Sequence, residues 1–230
     1  MKTIGLLGGM SWESSAVYYR LINRLVAERL GGHHSAELVL ASIDFEPVKR
    51  AQHDGDWDRA AAILVAAAKR LEGAGVDLAL LCTNTMHKLF DALTAGSTLP
   101  FLHLADATGE RIRAAGLRRI ALLGTAFTME QDFFRGRLAE RYGLEVLIPE
   151  PEERALVHRV IYDELCLGTI REESRHAYAE IIRRPADHGA EGVILGCTEI
   201  TLLIDQKDSV LPVFDTTLIH CEVAVERALA

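Results

Sequence analysis

The chain repeats itself once. "TIGLLGG" (Thr3 to Gly9) returns as "RIALLGT" (Arg119 to Thr125), "ALLCTNT" (Ala79 to Thr85) as "VILGCTE" (Val193 to Glu199), and "LPFLHLADAT" (Leu99 to Thr108) as "LPVFDTT" (Leu211 to Thr217). The offsets are 116, 114 and 112 residues. Chance supplies one such match, but not three in the same order at nearly constant spacing. The first landmark of each half is followed by a helical pattern carrying "YYR" at 18–20 or "FFR" at 133–135. A repeat this long is a duplicated lobe, because solenoid units recur every 20–50 residues.

Within each half, short β-branched and Leu-rich runs stand at about 3–7, 37–43, 77–82 and 100–103, and again at about 119–124, 144–148, 192–196 and 211–214. Helical patterns such as Tyr18 to Leu30, Trp57 to Gly73 and Glu152 to Glu164 separate most of them. Alternating strand and helix gives parallel sheets covered on both faces. The expected fold is therefore α/β: two pseudo-symmetric flavodoxin-like lobes, each a four-stranded parallel sheet flanked by helices, with the active site in the cleft between them. The expected lobes are 1–99 with 210–230, and 100–209. Ligands of open parallel sheets sit beyond the carboxyl ends of the strands, which here close at Gly8-Gly9, Thr83, Gly124-Thr125 and Cys197.

Composition narrows the partners. A formal charge of −8 with no basic tract argues against nucleic acid and against an anionic membrane surface. No apolar run approaches membrane-spanning length, and the apolar start "MKTIGLLGGMS" is too short for a leader, with Glu13 and Arg20 close behind. Cys82, Cys166, Cys197 and Cys221 lie far apart, without CxxC or a zinc-like Cys/His spacing. A cytoplasmic chain with free thiols and no metal is expected.

The mouths of the duplicated strands carry the chemistry. A thiol at a helix N-terminus meets the positive end of the dipole, which lowers its pKa and makes Cys197 a base or a nucleophile. The plainer alternative makes Cys197 a small core residue, and the Gly and Thr residues mere turns and helix caps. Side chains alternate across a strand. Aligning the repeat sets Thr83 opposite Cys197 and Cys82 opposite Gly196, so Thr83 is assigned to the cleft and Cys82 to packing. Cys166 and Cys221 also read as packing.

Four ordered motifs, "GLLGGMSWES", "NTMH", "LLGTAFTM" and "GCTEI", resemble the aspartate/glutamate racemase family, and most closely its bacterial L-aspartate/glutamate-specific members. The resemblance runs from residue 1 to about 220 and implies a cofactor-independent enzyme. One cleft residue from each lobe then flanks the substrate α-carbon, one removing its proton and the other delivering a proton to the opposite face. The family pattern has Cys before Asn-Thr in the first lobe, where this chain has Thr83. A hydroxyl is a far weaker base than a thiolate, so Cys197 is expected as base and Thr83 as acid for L-substrates. The hydroxyls of Thr85, Thr125, Thr128 and Thr198, with nearby backbone N–H groups, are expected to hold the α-carboxylate. Asn84 and Glu199 are expected at the α-ammonium. Met10 and Gln52 line the pocket by resemblance; on sequence alone Gln52 reads as a loop residue. Related racemases often carry a Lys in "EL-x-x-G" for the side-chain carboxylate. Here Cys166 stands in that place, with Arg50 or His53 as substitutes for the cation. The resemblance also implies a small-molecule amino-acid substrate and a homodimer.

Other readings stay open at this point: a broad-specificity amino-acid racemase, a single-cysteine decarboxylase or isomerase of the same superfamily, and a two-lobed amino-acid sensor that needs no thiol. Pyridoxal phosphate is disfavoured. Of five lysines only Lys88 lies near a predicted strand end, and it has no phosphate cup.

Overall fold

The computed structural model describes all 230 residues. They divide into two compact units, Met1–Leu104 with His220–Ala230, and Ala105–Ile219.

The first unit runs β1 (Ile4–Gly8), α1 (Trp12–Leu30), β2 (Leu38–Ser42), α2 (Phe45–His53), α3 (Trp57–Gly73), β3 (Leu78–Leu81), α4 (Phe90–Ala95) and β4 (Phe101–Leu102). Its sheet is parallel in the order β2-β1-β3-β4. Every residue of the central strands β1 and β3 is buried, which is why both read as unbroken apolar runs. Alternation splits their side chains between two cores. Leu7 and Leu81 face α2 and α3 with Val48, Leu64 and Leu71, while Leu6, Leu80 and Cys82 face α1 with Tyr18, Ile22 and Val26. Each fully buried Leu or Ile contributes about 1.5–3 kcal/mol.

Helix α5 (Leu104–Ala114) begins on the last residue of the first unit's main segment and continues from Ala105 in the second, which goes on with β5 (Arg119–Leu123), α6 (Ala126–Glu130), α7 (Asp132–Tyr142), β6 (Glu145–Leu147), α8 (Pro151–Asp163), α9 (Glu172–Asp187), β7 (Gly192–Leu195) and β8 (Val213–Asp215). Its sheet repeats the first, parallel in the order β6-β5-β7-β8. All of β7 is buried, as is β5 after Arg119. In "YYR" the first ring, Tyr18, is fully buried, whereas in "FFR" it is the second, Phe134. The aromatic equivalence thus follows the 116-residue offset of the first strands.

The last helix, α10 (Thr216–Leu229), returns to the first unit from His220 onward. Cys221, Ala224, Val225 and Ala228 join the core around Tyr18 and Ile22. His220 Nε2 lies 3.0 Å from the Leu102 carbonyl, which can only accept, so Nε2 carries the proton and Nδ1 accepts from the Tyr18 hydroxyl at 3.0 Å. Burial, with a smaller contribution from His87, holds the His220 pKa down to about 3.

Local chemistry fixes where the helices begin. Ser11, Asp44, Asp56 and Thr125 accept backbone N–H groups at the starts of α1, α2, α3 and α6, each worth about 1 kcal/mol. At the end of β1 the chain turns at Gly9, whose φ is 96°, and a Cβ there would overlap the Ile43 carbonyl. No helix is long and apolar enough to cross a membrane.

Candidate active site

In each unit the carboxyl end of the third strand runs into a five-residue 3-10 turn, Thr85–Leu89 after β3 and Thr198–Leu202 after β7. The flanking segments are buried on both sides. In the first unit Leu78 to Cys82 and Asn84 to His87 are buried, and Thr83 alone between them is partly exposed. In the second unit Gly192 to Gly196 and Thr198 to Ile200 are buried, and Cys197 alone between them is partly exposed. The duplication therefore opens to solvent at the same repeat position twice, once with a hydroxyl and once with a thiol.

Around Thr83, Ser14 Oγ donates to the Cys82 carbonyl at 3.0 Å and the Cys82 N–H donates to the Leu7 carbonyl at 2.9 Å. The Cys82 thiol is fully enclosed in the core, and burial pushes its pKa up. Asn84 and Thr85 are buried beside Thr83. Met10 packs in one apolar cluster with Val48 and Ala51 of α2 and with Met86. Gln52 belongs to helix α2, not to a loop, because Asp44 caps a helix that runs on to His53. It is 6% exposed, and its Nε2 has no hydrogen-bond partner. An orphaned buried donor costs about 1–3 kcal/mol until an acceptor reaches it. Arg50 is turned outward, 71% exposed and 2.8 Å from Glu46, and His53 is exposed.

Around Cys197, β5 and β7 approach so closely that Gly196 N donates to the Leu123 carbonyl at 2.6 Å. A Cβ on Gly196 would stand 2.9 Å from Leu122 Cδ1 and 3.0 Å from the Leu123 oxygen. Two hydroxyls from the start of α10 brace this end. Thr216 Oγ1 donates to the Leu195 carbonyl at 2.8 Å, and Thr217 Oγ1 donates to Thr198 Oγ1 at 3.1 Å. Thr125 and Thr128 lie 3.2 Å apart, hydroxyl to hydroxyl, with Thr125 capping α6 and Thr128 fully buried. Ala126 N donates to His158 Nδ1 at 3.1 Å, and burial lowers the His158 pKa.

The Cys197 thiol donates to Glu199 Oε2 at 2.9 Å. Glu199 is 6% exposed. The sequence predicts a lowered thiol pKa, and the structure reverses that sign. Burial pushes the pKa well above the ordinary thiol range, and the Glu199 carboxylate, the hydrogen bond to it and the nearby Cys166 add to the rise. A 3-10 turn of five residues carries too small a dipole to oppose this. Cys166, expected as packing, is partly exposed in the turn Leu165–Leu167 and lies near enough to Cys197 to add to the rise of that thiol's pKa. Thr216 and Thr217 were visible in the sequence only as a repeat landmark. Their hydroxyls were the signal that they brace the strand end.

A sequence profile described as Asp/Glu/hydantoin racemase matches residues 7–224. Among solved structures, a proposed Asp/Glu racemase from Yersinia pestis is 51% identical with a TM-score of 0.94, covering 100% of both chains. An aspartate racemase homologue from Pyrococcus horikoshii OT3 is 36% identical with a TM-score of 0.88, also over 100% of both chains. The broad specificity amino-acid racemase RacX of Bacillus subtilis (strain 168) is 22% identical over 99% of this chain and 98% of its own.

Proposed function

Because the chain belongs to the Asp/Glu/hydantoin racemase family, we propose that it racemises aspartate and glutamate without a cofactor, with Cys197 and Thr83 serving opposite faces of the α-carbon. The chain is an isomerase of the racemase class. The observation that carries the residue assignment is the paired exposure of Thr83 and Cys197 at matching strand ends within otherwise buried segments.

The protonated resting thiol sets the order of events. A substrate α-ammonium held by Glu199 and Asn84 offsets the carboxylate charge that keeps Cys197 protonated, and the thiol then loses its proton to water. The thiolate takes the α-proton of the L-substrate. The Thr83 hydroxyl hands a proton to the opposite face and takes one from water behind it, so no alkoxide accumulates. Cys197 returns to the thiol with the abstracted proton and exchanges it with solvent. The buried Gln52 amide, short of an acceptor, supplies a donor for a substrate carboxylate, and the hydroxyls of Thr85, Thr125, Thr128 and Thr198 and the Met10 side chain complete the pocket.

The test is incubation of the purified protein with a panel of L-amino acids in deuterium oxide, with no added cofactor. Chirality and α-deuterium are read together. L-aspartate and L-glutamate should racemise with α-exchange and no loss of carbon dioxide, and Cys197→Ala should slow both by roughly 10²–10⁴-fold or more. Equal turnover of neutral amino acids would replace the acidic assignment with broad specificity. Exchange or turnover that survives Cys197→Ala would remove the mechanism.

A further inference from the structure

The hydroxyl at residue 83 has no partner in the mechanism comparable to the Glu199 carboxylate beside Cys197, yet proton delivery to carbon tolerates little misplacement. Four residues on, His87 lies in the 3-10 turn and is 2% exposed. Its Nδ1 is 2.7 Å from the Thr83 carbonyl oxygen, and the Leu104 N–H donates to its Nε2 at 3.2 Å. An amide N–H can only donate, so Nε2 must be the bare nitrogen, Nδ1 carries the proton, and the ring is neutral. In this tautomer a single side chain ties the strand-end carbonyl of Thr83 to the first residue of α5. Stacking holds the ring plane: Phe90 lies nearly parallel at 5.8 Å between centroids, and His103 is tilted at 4.8 Å.

We propose that His87 is a positioning residue for Thr83, its Nδ1–H fixing the Thr83 peptide so that the hydroxyl is presented to the substrate carbon. The proposal rests on the proton-delivering role given above to Thr83. In a folded chain His87 touches no reacting atom, and its contribution reaches the reaction only through the orientation of residue 83.

Two substitutions separate its two bonds. Asn places an amide N–H near the Nδ1 position and can still donate to the Thr83 carbonyl, whereas Gln reaches the Nε2 position and keeps only the acceptor for Leu104. With L-glutamate in deuterium oxide, His87→Gln should lower racemisation about tenfold or more. Deuterium entering the unreacted L-enantiomer through Cys197 should remain within about twofold of the parent enzyme, because that face does not use Thr83. His87→Asn should recover most of the lost racemisation. Circular dichroism and thermal melting of both variants establish that they are folded. Racemisation and exchange falling together, neither falling, or His87→Asn losing as much as His87→Gln each overturns the positioning role. A parent enzyme that neither racemises nor exchanges overturns the mechanism as well, and is recognised before any variant is made.

Discussion

Cys197 and Glu199, two residues apart in the chain, form a thiol–carboxylate pair at 2.9 Å in which the carboxylate accepts. Thiol and carboxylate at this distance cannot both ionise easily, so Glu199 adds to burial in holding the resting sulfur protonated.

Replacing that carboxylate separates charge from burial. Glu199→Gln removes the second cause of the raised thiol pKa and leaves the first, burial, in place. Alkylation of Cys197, followed by peptide mass spectrometry across pH, should therefore shift to lower pH in the variant. The alkaline-rising limb of kcat/KM for the L-substrate should move the same way, while KM increases because the ammonium loses its counter-charge. An alkylation curve unmoved by the substitution would mean that the carboxylate does not govern the thiol.

Exchanging the hydroxyl for a second thiol tests the asymmetry of the site. On the proposed assignment Thr83 is the acid for L-substrates but must itself remove the proton of D-substrates, a task for which a hydroxyl is a poor base. Thr83→Cys supplies a thiol there, so turnover from the D-enantiomer should increase severalfold. At an equilibrium constant of one, kcat/KM must stay equal in the two directions, and the gain will appear in the separate kcat and KM values. Initial rates from each pure enantiomer, followed by chiral chromatography, check this. A D-rate at or below that of the parent would remove the role given to Thr83.

Much of this architecture was legible as text, for a physical reason. β1, β3, β5 and β7 are buried on both faces, so each strand is a run of Leu, Ile, Val, Ala and Gly that no polar residue interrupts after Arg119. Matching residues 83 and 197 needed only the repeat. Side-chain direction was not legible. A sequence shows Glu199 near Cys197 but not that its carboxylate folds back onto the sulfur, and the sign of the thiol shift depends on that. Gln52 read as loop because Asp54 and Gly55 follow it, although α2 ends just before them, at His53. The roles of Thr216 and His87 depend on hydrogen bonds to carbonyls 21 and four residues away in the chain, which no local pattern records.

The close approach of β5 and β7 makes Gly196 sensitive to a single methyl group. A Cβ there would press on the Leu123 carbonyl, which already receives the Gly196 N–H. Gly196→Ala should lower stability by about 1–3 kcal/mol and, with Cys197 next in the chain, reduce racemisation. Denaturant midpoints and activity measured on the same preparation check both. A variant as stable and active as the parent would show that the strand ends have room to part.

Acid should weaken the chain through His220. An unfolded histidine titrates near 6.5, whereas burial holds the folded pKa to about 3. Below pH 6.5 the unfolded chain binds a proton that the folded chain refuses, so stability present above that pH drains away as pH falls towards 3. Between pH 7 and 4.5 this one group should account for roughly 3 kcal/mol. Urea unfolding of the parent and of His220→Asn at the two pH values tests it: the variant starts less stable but should show the smaller loss. Parallel pH dependence in the two proteins would assign the acid lability elsewhere.

The return of α10 orders the birth of the molecule on the ribosome. Residues 105–219 are continuous in sequence, whereas the core around Tyr18 and Ile22 lacks Cys221, Ala224, Val225 and Ala228 until the end of the chain has been synthesised. The lobe translated first is therefore the lobe completed last, and a nascent chain stalled before His220 would leave the greasy interior around Tyr18 open to chaperones.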